Sequence, residues 1–169
     1  MVEQKKRRAP PPGVAIGRDG PYVMGPTMWH LSGMAKFSEP ATRIAFANMA
    51  LLHDPNCIEA FATLAFHADT PIARLAHLVS AVKAGDKTWA PIADRYGQRM
   101  DWWGFAGLRP YLDAIMDLGD AHVEVGNIQA ATWCYGRLLR MGPKTEEDIN
   151  RVATRLRSVV AASLPHAGP

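Results

Sequence analysis

The chain has little of what marks an enzyme. Among 169 residues there are two cysteines, Cys57 and Cys134, and no Cys-x-x-Cys spacing. Each sits in an apolar helical pattern, so two buried, reduced thiols are expected. Six histidines are present without His-x-x-x-His or Glu-x-x-His spacing, which leaves no recognisable metal motif. Gly17-Arg18-Asp19-Gly20 shows no preceding strand and no following Gly-Lys-Ser/Thr, so it is not read as a phosphate loop. No clustered Ser/His/Asp arrangement stands out, and the expectation is a non-enzymatic protein with no cofactor and no metal. No run approaches the roughly 20 apolar residues of a membrane span. No apolar stretch follows the basic start, so no secretory signal or membrane association is expected, and the cytoplasm is the default location.

Positive charge is scarce outside the N-terminus. Lys5, Lys6, Arg7, Arg8 and Arg18 against Glu3 and Asp19 account for the whole net charge of +3, leaving residues 28–169 neutral. A broad nucleic-acid face on the body is therefore not expected. Residues 1–27 also carry Pro10-Pro11-Pro12-Gly13, Gly20-Pro21 and Gly25-Pro26. They read as a disordered or loosely docked basic arm, with Val14, Ile16, Tyr22, Val23 and Met24 as an apolar strip. Lys5, Lys6, Arg7 and Arg8 are candidate anion contacts, to nucleic-acid phosphates or anionic lipid, or simply a solubilising cluster.

What is abundant is helical periodicity. A short helix is predicted over 27–36, and a stronger one from a Ser38 cap to His53, before Pro55. The next helix starts at Asp54 or Asn56, and Thr70-Pro71 opens another that Gly85 closes. Residues 86–107 interrupt the pattern with a helix spaced on Trp89, Ile92, Tyr96 and Met100. They end in Trp102-Trp103-Gly104-Phe105, aromatics expected to pack between the hairpins. In 109–142, Leu112, Ile115, Met116 and Leu118 recur at helical spacing, as do Ala131, Tyr135 and Leu138. Pro110 suits the first helical turn, Gly126 stops the first helix, Asn127 caps the second, and Gly142-Pro143 ends it. A last helix over 146–163 opens on the box Thr145-Glu146-Glu147-Asp148. Ile149, Val152, Leu156 and Val159 or Val160 trace its packed face, with Arg151 and Arg155 turned away. Residues 166–169 are a tail.

Leu118-Gly119, Gly126, Ala131, Tyr135 and Pro143 fall at the spacings of the tetratricopeptide repeat, and 109–142 resembles one such unit. The stretch from Asp54-Pro55-Asn56 through a weaker hairpin (56–85) and an aromatic insert (86–107) to Leu108-Arg109-Pro110-Tyr111-Leu112 is similar to the helical core of the suppressor-of-tumorigenicity family and its bacterial tetratricopeptide relatives. The resemblance covers roughly residues 45–144. It implies an all-α fold: a short α-hairpin array, or solenoid, of about six to seven helices with a C-terminal capping helix, forming one domain over 28–165.

Asp113, Asp117, Asp120 and Glu124 are spaced 4, 3 and 4 apart and so share one stripe of the helix 111–125. The stripe reads either as an acidic binding surface or as a solvated helix face. The resemblance implies that the first helix of a hairpin lines a ligand groove, which Asp113, Met116, Asp120, Val123 and Glu124 would face. The leading expectation is therefore a scaffold binding a basic or amphipathic protein segment beside this helix. The alternative is a structural subunit of a larger assembly, anchored to nucleic acid through the basic arm. Exposed array ends also make a homodimer an option.

Overall fold

The computed structural model describes residues 14–17, 20–23, 26–96 and 101–163. Two short strands, β1 (Val14–Gly17) and β2 (Gly20–Val23), pair antiparallel with Val14 opposite Val23 and Gly17 opposite Gly20. Seven helices follow among the described residues: α1 (Pro26–Lys36), α2 (Pro40–His53), α3 (Ile58–Phe66), α4 (Pro71–Tyr96), α5 (Arg109–Glu124), α6 (Ile128–Arg140) and α7 (Glu146–Ser163). A 3-10 turn, Ala106–Leu108, leads into α5 and touches β2.

The strands correct two expectations. Val14, Ile16, Tyr22 and Val23 belong to a paired ladder rather than one extended strip, and a strand does precede Gly17. That strand pairs with the next segment instead of feeding a phosphate-binding helix. Met24, residues 1–13 and the tail 166–169 lie outside the described residues.

The helices pack chiefly against their sequence neighbours: α1 on α2, α2 on α3, α3 on α4, α4 on α5, α5 on α6 and α6 on α7. The loops at 37–39, 67–70 and 125–127 are too short for anything but a reversal of direction, so these pairs are antiparallel hairpins. An additional contact of α3 with α5 links the second hairpin to the third. The body is thus all-helical, as the periodicity predicts.

Helix boundaries follow local chemistry. Thr70 Oγ1 accepts the Ala73 N–H at 3.1 Å, and Asn127 Oδ1 accepts that of Ala130 at 3.2 Å. Thr145 Oγ1 accepts the Asp148 N–H at 3.1 Å, the first half of the predicted box, and its hydroxyl, in place of its backbone N–H, donates to the Asp148 carboxylate at 2.7 Å. Gly126 and Gly142 have φ of 75° and 69°, the left-handed region that ends helices cheaply only at glycine. Before α2 the N-cap position belongs to Glu39, not Ser38. Before α3 it belongs to Cys57, with Asp54 Oδ1 accepting the Asn56 N–H at 2.9 Å.

One boundary differs more. Gly85 does not close its helix, because α4 continues for 26 residues through Gly85 and Pro91. Gly85 serves the packing instead: the ring of Tyr111 occupies the space a Cβ would need. The aromatic insert packs as expected. Trp102, Trp103 and Phe105 lie half-buried on the main core, and Phe105 meets the buried Trp89 edge-on at 5.9 Å between centroids.

Among the described residues there are two clusters of buried side chains. The larger runs from Ile58 to Val159 and centres on α5, where Tyr111, Leu112, Ala114, Ile115, Met116, Leu118, Gly119 and Ala121 are all buried. Truncating a leucine or isoleucine here to alanine is worth about 2–5 kcal/mol. The smaller cluster joins α1, α2 and α3 through Met34, Ala47, Ala50, Cys57 and Ala60. Helix α3 contributes to both and ties them together. On α7, Val152 and Val159 are buried, whereas Ile149 and Val160 are exposed. Leu156 packs on the same core, so the predicted face holds at Val152, Leu156 and Val159 and fails at Ile149, while Arg151 and Arg155 flank it and reach α5.

Candidate binding groove

Arg151 and Arg155, at the edge of the packed face of α7, decide the electrostatics of the acidic stripe. Arg151 Nη1 donates to Asp113 Oδ1 at 3.0 Å. Arg155 Nε bonds both carboxylate oxygens of Asp120, at 3.0 and 3.1 Å. Asp120 also accepts the Tyr135 hydroxyl at 2.6 Å. From the other side Arg74 Nη1 of α4 reaches Glu124 Oε2 at 2.9 Å. Three of the four predicted acids are thus held by the chain's own arginines. Arg151 and Arg155 lie off the buried face of α7, yet each reaches a carboxylate of α5. Each pair is partly exposed, so each is worth at most about 1 kcal/mol.

Asp117 is different. It makes no ion pair among the described residues. Its carboxyl is raised above the usual range, first by loss of water and then by repulsion from Asp120 and Asp113, with Arg74 and Arg151 offsetting part of this. The spacing of four and three residues that aligns the stripe is also what brings those like charges together. Met116 is not a groove residue: it is buried in the core at 1% exposure. Val123 is exposed near the end of α5.

Asp117 and Glu124 form one wall of a groove of about 460 Å³. Ala62, Ala65 and Phe66 of α3 with Ala68 contribute another side, and Arg74 and Leu78 of α4 complete it. The space exists because three of these positions carry only methyl groups. Phe66 stands 75% exposed at the rim, with the Arg43 guanidinium 5.7 Å above its ring and His67 edge-on at 4.9 Å. An aromatic ring this accessible beside a polar wall is the kind of surface that takes a partner side chain.

A second polar cluster lies where α4, α5 and α6 meet. Arg137 bonds both the Asp86 carboxylate and the Tyr111 hydroxyl, and Tyr111 donates to Asp86. Arg137 also lies 5.4 Å from the rings of Tyr111 and of the exposed Trp133. Burial pushes the Tyr111 hydroxyl up, and the bond to Asp86 adds to this, so it stays protonated. These groups satisfy one another and fix the α4–α5–α6 junction.

The remaining candidates separate. Cys57 and Cys134 are free and buried, their thiols pushed up to about 12 and about 11, chiefly by burial. His53 stacks on His30 at 5.2 Å between centroids. His122 is lowered by burial. Among the described residues no three His, Cys, Asp or Glu side chains converge to hold a metal ion. No helix among them is long and apolar enough to cross a membrane. Lys5, Lys6, Arg7 and Arg8 lie outside the described residues.

No protein-family model matches the chain, and no curated protein or solved structure matches it.

The sequence pointed to α5 as one wall of the site. It missed Ala62, Ala65, Phe66, Ala68, Arg74 and Leu78, which supply the rest. Their spacing in the sequence is that of an ordinary core helix, which gave no sign of a groove.

Proposed function

We propose that the chain is a non-enzymatic interaction module of the tetratricopeptide-like kind, which takes a protein or peptide segment in the groove formed by α3, α4 and α5. The observation carrying this reading is Phe66, which stands 75% exposed at the mouth of a groove otherwise floored by alanines. Exposing a ring of that size leaves unrealised much of the roughly 1.5–3 kcal/mol that burying such a side chain returns. A partner that covers it recovers this energy. Antiparallel helix pairs packed on their sequence neighbours support the repeat-like reading, because such pairs present a continuous face built from several helices. The partner differs from a simple polycation, since arginines already neutralise Asp113, Asp120 and Glu124.

Site-specific photo-crosslinking tests the reading. A photoreactive phenylalanine analogue at position 66 should yield a discrete crosslinked partner in the source cell. The same analogue at position 133, on α6 and also exposed, should not capture that partner. Equal capture from both positions, or none from 66, removes the groove assignment.

A further inference from the structure

The charge accounting of the groove identifies the kind of segment that fits it. Of the residues lining the groove, Asp117 and Glu124 are acidic and Arg74 is basic, and Arg74 takes Glu124; beyond that lining Arg151 and Arg155 take Asp113 and Asp120. One carboxylate, that of Asp117, is left over, and it lies in the groove wall rather than on the open helix face. We propose that the groove selects a segment presenting one cationic side chain, lysine or arginine, beside an apolar anchor, with the cation on Asp117 and the anchor against Phe66 and the Ala62–Ala65 floor. This rests on the reading of the groove as a peptide site and adds the chemistry of its occupant.

Charge complementarity selects this occupant over the others. A single cation pairs with the one lining carboxylate that Arg74 leaves over. A second cation would meet Arg74 in the same lining, whose charge repels it. An acidic segment would face Asp117, with Arg74 already on Glu124. A wholly apolar segment would cover Asp117 and strip water from a carboxylate already short of it. Pairing in this half-buried setting counts for more than on an open surface, because less water screens it.

Random-peptide display against the full chain tests the proposal, with Asp117→Asn and Phe66→Ala variants as parallel baits of unchanged helicity by circular dichroism. The wild type should enrich peptides with one Lys or Arg next to aliphatic or aromatic residues. Asp117→Asn should keep the apolar part of the consensus and lose the cation, and Phe66→Ala should lose the enrichment. A synthetic consensus peptide with its cation replaced by norleucine should bind the wild type about tenfold more weakly or worse. Against Asp117→Asn its affinity should be unchanged. If enrichment depends on Phe66 but the cation survives Asp117→Asn, or the consensus is polybasic or uncharged, the monocation inference falls and the groove reading stands. If no enrichment depends on Phe66, both fall.

Discussion

Tyr135 lays its ring against Gly119, where an added Cβ would stand 2.5 Å from Cε1. Its hydroxyl then bonds the next residue along, Asp120. The same relation recurs one helix earlier: Tyr111 covers Gly85 and bonds Asp86. In each case an arginine from a later helix closes the group, Arg155 on Asp120 and Arg137 on Asp86. A Gly-Asp step, a tyrosine and an arginine together form a joint that is used twice. The glycine permits close approach, the tyrosine fills the contact, and the charged pair satisfies its hydroxyl.

Alanine at position 119 or 85 should therefore destabilise the protein. Alanine is the better helix former by about 1 kcal/mol, yet overpacking against a buried ring costs about 1–3 kcal/mol. Both rings are almost fully buried, so the clash should win. Thermal unfolding should show a loss of several degrees. Pairing Gly119→Ala with Tyr135→Leu should cost less than the sum of the two single changes.

Replacing Arg151 and Arg155 together with glutamine should uncover Asp113 and Asp120. Each substitution should cost no more than about 1 kcal/mol in stability. The double variant should retain pentalysine at low salt, whereas the wild type should not, and about 0.5 M salt should abolish the retention. Binding of pentalysine by both forms would show that the arginines do not neutralise the stripe.

Asp117→Asn should stabilise the fold at neutral pH. The native state holds this proton more tightly than the unfolded chain, because burial and like charges raise the carboxyl. Ionisation therefore lowers stability as pH rises through the window above the unfolded value of about 3.9. The asparagine variant escapes that penalty. Its melting temperature should exceed the wild type's by roughly 1–2 °C at pH 7, and the difference should shrink toward pH 3.5.

Cys57 and Cys134, pushed up to about 12 and about 11, should resist iodoacetamide at pH 8 in the folded protein. Both should label once denaturant unfolds it. Mass spectrometry reads the two states directly.

The sequence carried the α5–α6 hairpin almost to the residue, because Pro110, Gly126, Asn127 and Gly142 each act locally. The other helices were legible for the same reason, except that the segment after Gly85 read as a separate helix and is the continuation of α4. Gly85 misled because glycine has two uses, stopping a helix and admitting a neighbour, and only the position of Tyr111 decides between them. The acidic stripe was legible as a stripe, but its neutralisation was not. Arg74 is 50 residues from Glu124, and Arg155 is 35 from Asp120. Such pairings depend on how α4 and α7 are rotated against α5. Phe66 and the alanines were invisible as a site because their periodicity matches that of a core helix, and only packing shows which side stays uncovered.

Backbone amide chemical-shift mapping with the display-selected peptide shows whether the groove of α3, α4 and α5 receives a partner segment. A segment seated there should shift residues 62–68, 74–78 and 117–124, and Phe66→Ala should abolish those shifts. Shifts centred on the outward side of α6 around Trp133 and Arg137, or unaffected by Phe66→Ala, would contradict that seating.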